Sequence, residues 1–564
     1  MSEMGEHDAT IAGCDESIRL EPSDCVAYIE RGSRWRELGK HDRAIADFSE
    51  AIALDPNDSV AYVHRGFSWS QNGEHDKAIA DYNKAIQLDP QDVFALCGRG
   101  RAWGKAGEHD KSIADFTAAI HLDPTSPDCY QNRAYAWSMQ GKDSKAIDDY
   151  SEAIALDPQD AYALGSRGRL RSEQGDHDDA IDDLTNAIRL DPQSPHTYLS
   201  RAYCWAVKGE HDKAIDDYSE AIHLNPVDAY AFHSRGRIWM TKEEYDKAIA
   251  DFTESIHLAP GDALAYSDRG RAWARKGEYT KAVSDYTKAI DLAPGDALVY
   301  YVRGRAWARL DEYTKAVSDY SEAIGLEPRH SSAKYFFYHR AKAWTELEEY
   351  DQAIADCSEA INLDPQYADA YFNRALNWDR RGEPDKAIAD YSEAIRCDPQ
   401  HADAYNNRGN TFTRLGEYTK AVADFTETIR FDPDDPSAYN NRGVAWTRSG
   451  SFQEAIADYH ESIRLDPENS TRYRTLAWIL ATCSDVRFRD GERAVQLAEE
   501  SRKLSGDMGY DDHYVLAAAH AAQGSFDDAV ECQRKALDSA PEEEKAHMKK
   551  CLKRYKAGKA YEED

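Results

Sequence analysis

No stretch of this chain approaches the roughly 20 consecutive apolar residues that a membrane span needs. The opening MSEMGEHDATIAGCDESIRLEP lacks a basic segment followed by an apolar run, so neither a leader nor membrane insertion is expected, and the expected location is cytoplasmic. Basic residues are in deficit, 69 against 103 acidic, for a net charge of −34. Phosphate backbones and anionic membranes would be repelled in general, and no nucleic-acid partner is expected. The ten cysteines include no C-x-x-C pair and no partnering histidine spacing, so they read as small core residues in a reducing compartment. H-E-x-x-H and the nucleophile elbow are both missing, and GKDSKA at Gly141 lacks the upstream glycine and strand of a phosphate loop. No segment is left over to house a catalytic domain; no enzyme activity, cofactor or metal is expected.

What the chain has instead is repetition. The stretch Ala263 to Asp296 places Tyr266, Gly270, Trp273, Ala282, Tyr286, Ala289 and Leu292 at three- and four-residue steps either side of a break at Lys276 and Gly277, which predicts two amphipathic helices. Pro294 closes the second, because proline lacks an amide donor and pushes its predecessor out of the helical region. Prolines equivalent to it recur every 34 residues from Pro22 to Pro328 and from Pro365 to Pro467, with one step of 37 between the two runs. A single hairpin cannot bury its apolar face, so successive copies must stack.

The aromatic at position 4 of the unit, small residue at 8, aromatic at 11, Ala at 20, aromatic at 24, Ala at 27 and Pro at 32 resemble the signature of the tetratricopeptide repeat (TPR) family. That resemblance implies an all-α fold, a right-handed α-solenoid (superhelix) of stacked helix-turn-helix hairpins. In this frame residues 1–24 are a partial repeat, its second helix only, and either an unpaired helix caps the stack or the true start lies upstream of Met1. An uncovered helix of this kind is a candidate self-association surface. Residues 25–330 make nine repeats, 331–333 a short insertion, 334–469 four more repeats, 470–541 two divergent repeats, and 542–564 a C-terminal capping helix and tail. The tail from LAWILATC onward is similar to the closing segment of long bacterial TPR proteins.

Position 7, commonly Leu in the family, is Arg in all thirteen complete repeats, from Arg31 to Arg442, and position 23 is Asp in the same thirteen, from Asp47 to Asp458. Both vanish together at Leu476 and Leu516. Pairing within each hairpin leaves no orphan, whereas pairing with the preceding repeat would set Arg31 against Gly13 and Asp458 against Leu476. The expectation is a partly buried intra-hairpin salt bridge rather than an anion-binding arginine ladder. Histidines at position 17, such as His41 and His177, alternate with Tyr there and read as turn packing. Arg171 replaces the tryptophan of position 11 and marks a weak point or a contact.

By the resemblance, first helices line the concave side and positions 2, 5, 6, 9, 12 and 13 face what is bound there. Position 9 carries Arg101, Arg169, Arg237, Arg271, Arg305 and Lys342, reinforced by Arg275 and Arg309 at position 13. On an acidic chain this basic stripe suggests a groove for acidic or carboxylate-bearing peptides, unless acidic neighbours such as Asp268 neutralise it. Further on, Asn373, Asn406, Asn407, Asn440 and Asn441 occupy positions 5 and 6, with Asn410 at position 9. The stacked Asn373, Asn407 and Asn441 are similar to the asparagine ladder in the TPR arm of O-linked GlcNAc transferases, where amides hold an extended backbone. The leading functional expectation is a non-catalytic protein-protein interaction scaffold or adaptor holding extended, acidic segments of partner proteins. The alternative is the substrate-recognition subunit of an enzyme complex, such as a glycosyltransferase-like or secretion machine.

Overall fold

The computed structural model describes residues 3–506 and 509–561. Among them the regular structure is helical throughout, without a strand. The chain divides into two compact units, Met1–Lys276 and Gly277–Asp564, each a solenoid of antiparallel helical hairpins.

The local chemistry of one repeat explains both units. First helices run 13 residues, as in Ser59–Gln71, and second helices 14, as in His75–Leu88. Aspartate caps many first helices: Asp58 Oδ1 accepts from the Val60 amide at 2.9 Å, satisfying an amide that no helical carbonyl can reach. The turn between the two helices needs a left-handed residue, supplied by Gly73 (φ 79°) in this repeat. Glu243, Asp311 and Glu348 adopt the same conformation at φ 59–61° without being glycine, a local strain carried by three repeats. Small residues let the pair approach closely. Ala61, Ala78 and Ala85 are fully buried, and Tyr82 fills the space between them.

In unit 1 the helix Glu3–Leu20 packs on Cys25–Glu37 and buries Ile11 and Cys14. In unit 2 the extra residues before the tenth repeat lengthen the turn and start its first helix one residue early, with Ala333 buried at the helix start. The divergent pair Ser470–Thr482 and Gly491–Ser505 is joined by a single 3₁₀ turn, Val486–Phe488. The last helix, Glu542–Lys556, buries Met548, Cys551 and Tyr555.

The Arg–Asp pairing is intra-hairpin as expected. In unit 1, Arg65 donates from Nε and Nη2 to the two oxygens of Asp81, each at 2.8 Å. The same two-bond fork is made by Arg31, Arg99, Arg133, Arg167, Arg201 and Arg235. Unit 2 repeats it at Arg303, Arg340, Arg374, Arg408 and Arg442.

Beyond the pairing read from the sequence, the same guanidinium also reaches the preceding repeat, at position 25 rather than 23. Its Nη1 donates to the residue sixteen positions earlier, Asp15 for Arg31 at 2.6 Å, Ser49 for Arg65 at 3.1 Å and Ser358 for Arg374 at 2.9 Å, and nineteen earlier across the insertion, Ser321 for Arg340 at 2.9 Å. Ser49 and Ser358 spend their own protons on the carbonyls of Ile45 and Ile354, which leaves the oxygen lone pairs for arginine. Where position 4 is aromatic the guanidinium also lies over that ring, 5.7 Å for Arg65 over Tyr62; Arg99 and Arg167 have Leu96 and Leu164 there instead. Hydrogen bonding to Asp47 raises the Arg31 pKa, so the cation is held charged.

Arg171 proves to be a contact. Its Nη1 donates to Asp183 Oδ2 at 2.8 Å, beside the fork from Arg167. The cysteines are not all isolated in space: Cys97 and Cys129, from consecutive first helices, bring their sulfurs to 2.6 Å. The hydrogen bond between them lowers the pKa of one thiol of the pair and raises that of the other.

Candidate functional site

Positions 9 and 13 face outward in both units. In unit 1, Arg101, Arg169, Arg237, Arg271 and Arg275 are all exposed, but they are not equally free. Arg169 pairs with Glu173 one turn along its own helix at 2.5 Å. Arg271 pairs with Asp268 at 2.6 Å, and Asp268 also contacts His233 Nε2 at 2.9 Å. Asp268 is 4 % exposed, so Arg271 is spent on neutralising a buried acid. Arg101, Arg237 and Arg275 have no carboxylate within ion-pair distance among the described residues. Arg237, Arg271 and Arg275 share a cavity of about 270 Å³ with Asp268 and Tyr245. In unit 2, Arg305, Arg309 and Lys342 are exposed and border a cavity of about 310 Å³.

The asparagines do not form a row of free rungs. Asn373 is buried at 6 % and accepts from Asn377 Nδ2 at 2.8 Å, inside a network that Thr345 joins. Its side-chain oxygen is satisfied by neighbours in the helix stack, which withdraws it from the groove. Asn407 donates to the Asp403 carbonyl of its own helix, and Asn441 donates to Asn406 at 3.2 Å. Asn410 and Asn440 are half-exposed, with no hydrogen-bond partner among the described residues.

Position 2 was among the positions expected to face a ligand, but its apolar character was not read from the sequence. Position 2 exposes Val26, Val60, Phe94, Tyr162, Tyr230 and Leu264 in unit 1, and Leu298 and Tyr335 in unit 2, with Phe94 at 79 %. Its signal was present: an apolar residue directly after the capping turn, off the three- and four-residue packing rhythm. Val60, Phe67 and Phe94 line a cavity of about 430 Å³ with Arg36 and Arg101 at its edge. His64, in the same wall, faces Arg36 Nη1 at 2.7 Å; burial and that cation hold it down to about 4, so the neutral ring accepts. An apolar row beside a basic one suits segments that carry both apolar and acidic side chains.

The position 17 histidines pack as turn residues, His41 against Phe67 with ring centres 6.5 Å apart and His177 against Tyr203 at 6.2 Å. Among the described residues no three His, Cys, Asp or Glu side chains gather as a metal site would require, and no helix is long and apolar enough to cross a membrane.

Models described as tetratricopeptide repeat match residues 25–58, 59–92, 97–161, 166–229, 234–297, 268–331, 379–436, 406–470 and 513–543. A model described as TPR repeat matches 341–376. A comparison with curated protein sequences returns no match. Among solved structures the chain is similar to YrrB, described as a TPR protein with an unusual peptide-binding site, at 21 % identity over 33 % of this chain and 97 % of that one, with a TM-score of 0.31. MamA matches at 28 % identity over 28 % of this chain and 94 % of its own, TM-score 0.28. The Naa15/Naa10 complex bound to HypK-THB matches at 15 % identity over 99 % and 96 %, TM-score 0.36.

Proposed function

The chain belongs to the tetratricopeptide repeat family, whose arrays are protein-protein interaction scaffolds, and from that membership we propose that its first-helix wall takes up extended acidic segments of partner proteins. The observation that carries this reading is the set Arg101, Arg237 and Arg275 in unit 1: exposed cations without a paired carboxylate, on a chain with 103 acidic residues. Acids are abundant enough to have neutralised them, and unpaired guanidinium forks are suited to two-point capture of carboxylates. The apolar row at position 2 supplies the desolvated contact area that charge alone lacks. Asn410 and Asn440 supply side-chain amides that can bond a peptide backbone. In this reading the protein acts by holding other chains and performs no chemistry on them.

The test is capture of acidic peptides from an array by the full chain, repeated with Arg101→Glu, Arg237→Glu and Arg275→Glu combined. Helicity should be unchanged while acidic binders are lost at low salt and less affected at high salt. Unaltered capture by the triple variant would remove the stripe from the binding surface.

A further inference from the structure

Unit 2 contains a place where cations converge and acids do not follow. The first helix of the ninth repeat, Ala297–Arg309, carries Arg305 and Arg309 one turn apart. Its neighbour Ala333–Glu346 carries Lys342 and Glu346, again one turn apart. All four side chains line the 310 Å³ cavity. Three cations and one carboxylate leave a surplus of two positive charges.

Two of the cations lie over rings and none is paired with an acid. Arg305 lies over Tyr301 at 5.8 Å, and Lys342 lies over Tyr338 at 5.8 Å. Among the described residues none of Arg305, Arg309 and Lys342 has a carboxylate within ion-pair distance. His339 sits at the back among Tyr301, Tyr338 and Tyr320, with ring centres 5.5, 5.2 and 6.2 Å away. Burial, then Arg305, Lys342 and Arg309, push it down to about 3, so it stays neutral and adds nothing to the surplus. Like charges gathered without compensation oppose folding. Glu346 relieves one of the three charges, and no carboxylate among the described residues pairs with any of the cations.

The donor set selects among anions. One carboxylate would cancel half of the surplus and offers two oxygens. A phosphate monoester carries about two negative charges at neutral pH and three terminal oxygens, enough for two guanidinium forks and an ammonium. We propose that this cavity binds the phosphoryl group of a phosphorylated segment of a partner protein. The proposal rests on the first-helix wall being where partner segments lie, and it adds a modification-dependent anchor to that wall.

The test uses the full chain and three probes: N-acetyl-Gly-phosphoSer-Gly amide, N-acetyl-Gly-Glu-Gly amide and inorganic phosphate. Acetylation of Lys342 by an amine-reactive ester is followed by mass spectrometry against exposed Lys288 as the internal reference. The phosphoserine peptide is expected to slow Lys342 modification several-fold at concentrations where the glutamate peptide leaves it unchanged. Arg309→Gln, a change at an exposed side chain, should abolish the protection while circular dichroism stays the same. Equal protection by the two peptides, no protection by either, or protection unaffected by Arg309→Gln would overturn the proposal. Protection by inorganic phosphate as strong as by the peptide would assign the site to the free anion, which also overturns it. If acidic peptides are still captured through Arg101, Arg237 and Arg275 while Lys342 stays reactive, the scaffold reading stands without the phosphoryl site.

Discussion

The Arg374–Asp390 fork offers the sharpest test of how the hairpins hold together. Its two bonds are both 2.7 Å, and its side chains are 20 % and 10 % exposed. Asp390→Ala would strand a guanidinium whose Nε and Nη2 lose their acceptors. Water can reach part of that group, so the expected cost is about 2–4 kcal/mol, below the full range for a dry ion pair. Arg374→Ala strands a carboxylate that is buried more deeply and also removes the 2.9 Å bond to Ser358; about 3–5 kcal/mol is expected. The double variant leaves no charge behind, so it should cost about 2–3 kcal/mol less than the sum of the singles. A third variant decides whether the ion pair itself stabilises. Arg374→Leu with Asp390→Leu copies what the chain does at Leu476 and Leu497, which share one buried cluster. That exchange should be neutral within about 1 kcal/mol or stabilising. Hydrogen exchange of the helices Ala368–Arg380 and Pro384–Cys397 reads local opening free energies directly. Single-variant costs that add to within about 0.5 kcal/mol would refute the coupling.

Arg167→Ala should cost less than Arg374→Ala, because Arg171 still partners Asp183; equal losses of exchange protection in the two repeats would contradict the shared-carboxylate geometry. His64 and His339 are held neutral in the folded chain at about 4 and about 3, mainly by burial. Their folded values lie below the ordinary value of about 6.5, so the stability they support is complete above that pH and is lost as pH falls toward the folded values. Between pH 7 and 5 each repeat concerned should lose about 1–2 kcal/mol of local stability. His339→Gln should flatten that dependence in the tenth repeat, and an unchanged profile would count against it. At Gly491 an added Cβ would lie 2.2 Å from the Gln523 amide nitrogen, a backbone atom that cannot swing aside. Gly491→Ala should therefore lower the thermal unfolding midpoint of the C-terminal repeats, at a cost of about 1–3 kcal/mol or more; full retention of that midpoint would refute the contact.

Most of the fold was legible because the physics of one repeat is written thirteen times. Pro294, Trp273 and Ala282 specify a hairpin by spacing alone, and repetition turns a weak local signal into a firm one. The charged pair was legible for the same reason, through the joint loss of Arg and Asp at Leu476 and Leu497. Its reach into the previous repeat was not, since Ser49, Asn83 and Thr117 share an acceptor oxygen rather than a residue type. The wall residues were harder. Arg271 and Arg237 look alike in sequence, yet Asp268 neutralises one and not the other. Asn373 and Asn440 both read as groove amides, but Thr345 and Asn377 draw Asn373 inside. Periodicity reports which way a helix position points, while the identity of its neighbours decides whether a side chain is spent.

The same contrast explains why the hairpins carry a charged fork at all. Near-identical apolar faces choose their axial register poorly, since methyl groups slide past one another with small changes in contact area. A guanidinium bonded through two nitrogens to one carboxylate and through a third to the preceding helix has one height at which all three bonds are made. A shift by one residue breaks all of them at once and leaves charges in a half-dry seam. In the divergent repeat after Asn469 the fork gives way to Leu476 and Leu497, buried in one cluster. On this argument the Leu–Leu exchange at 374 and 390 would keep its stability but widen the exchange kinetics of the hairpin, a loss of uniqueness rather than of free energy.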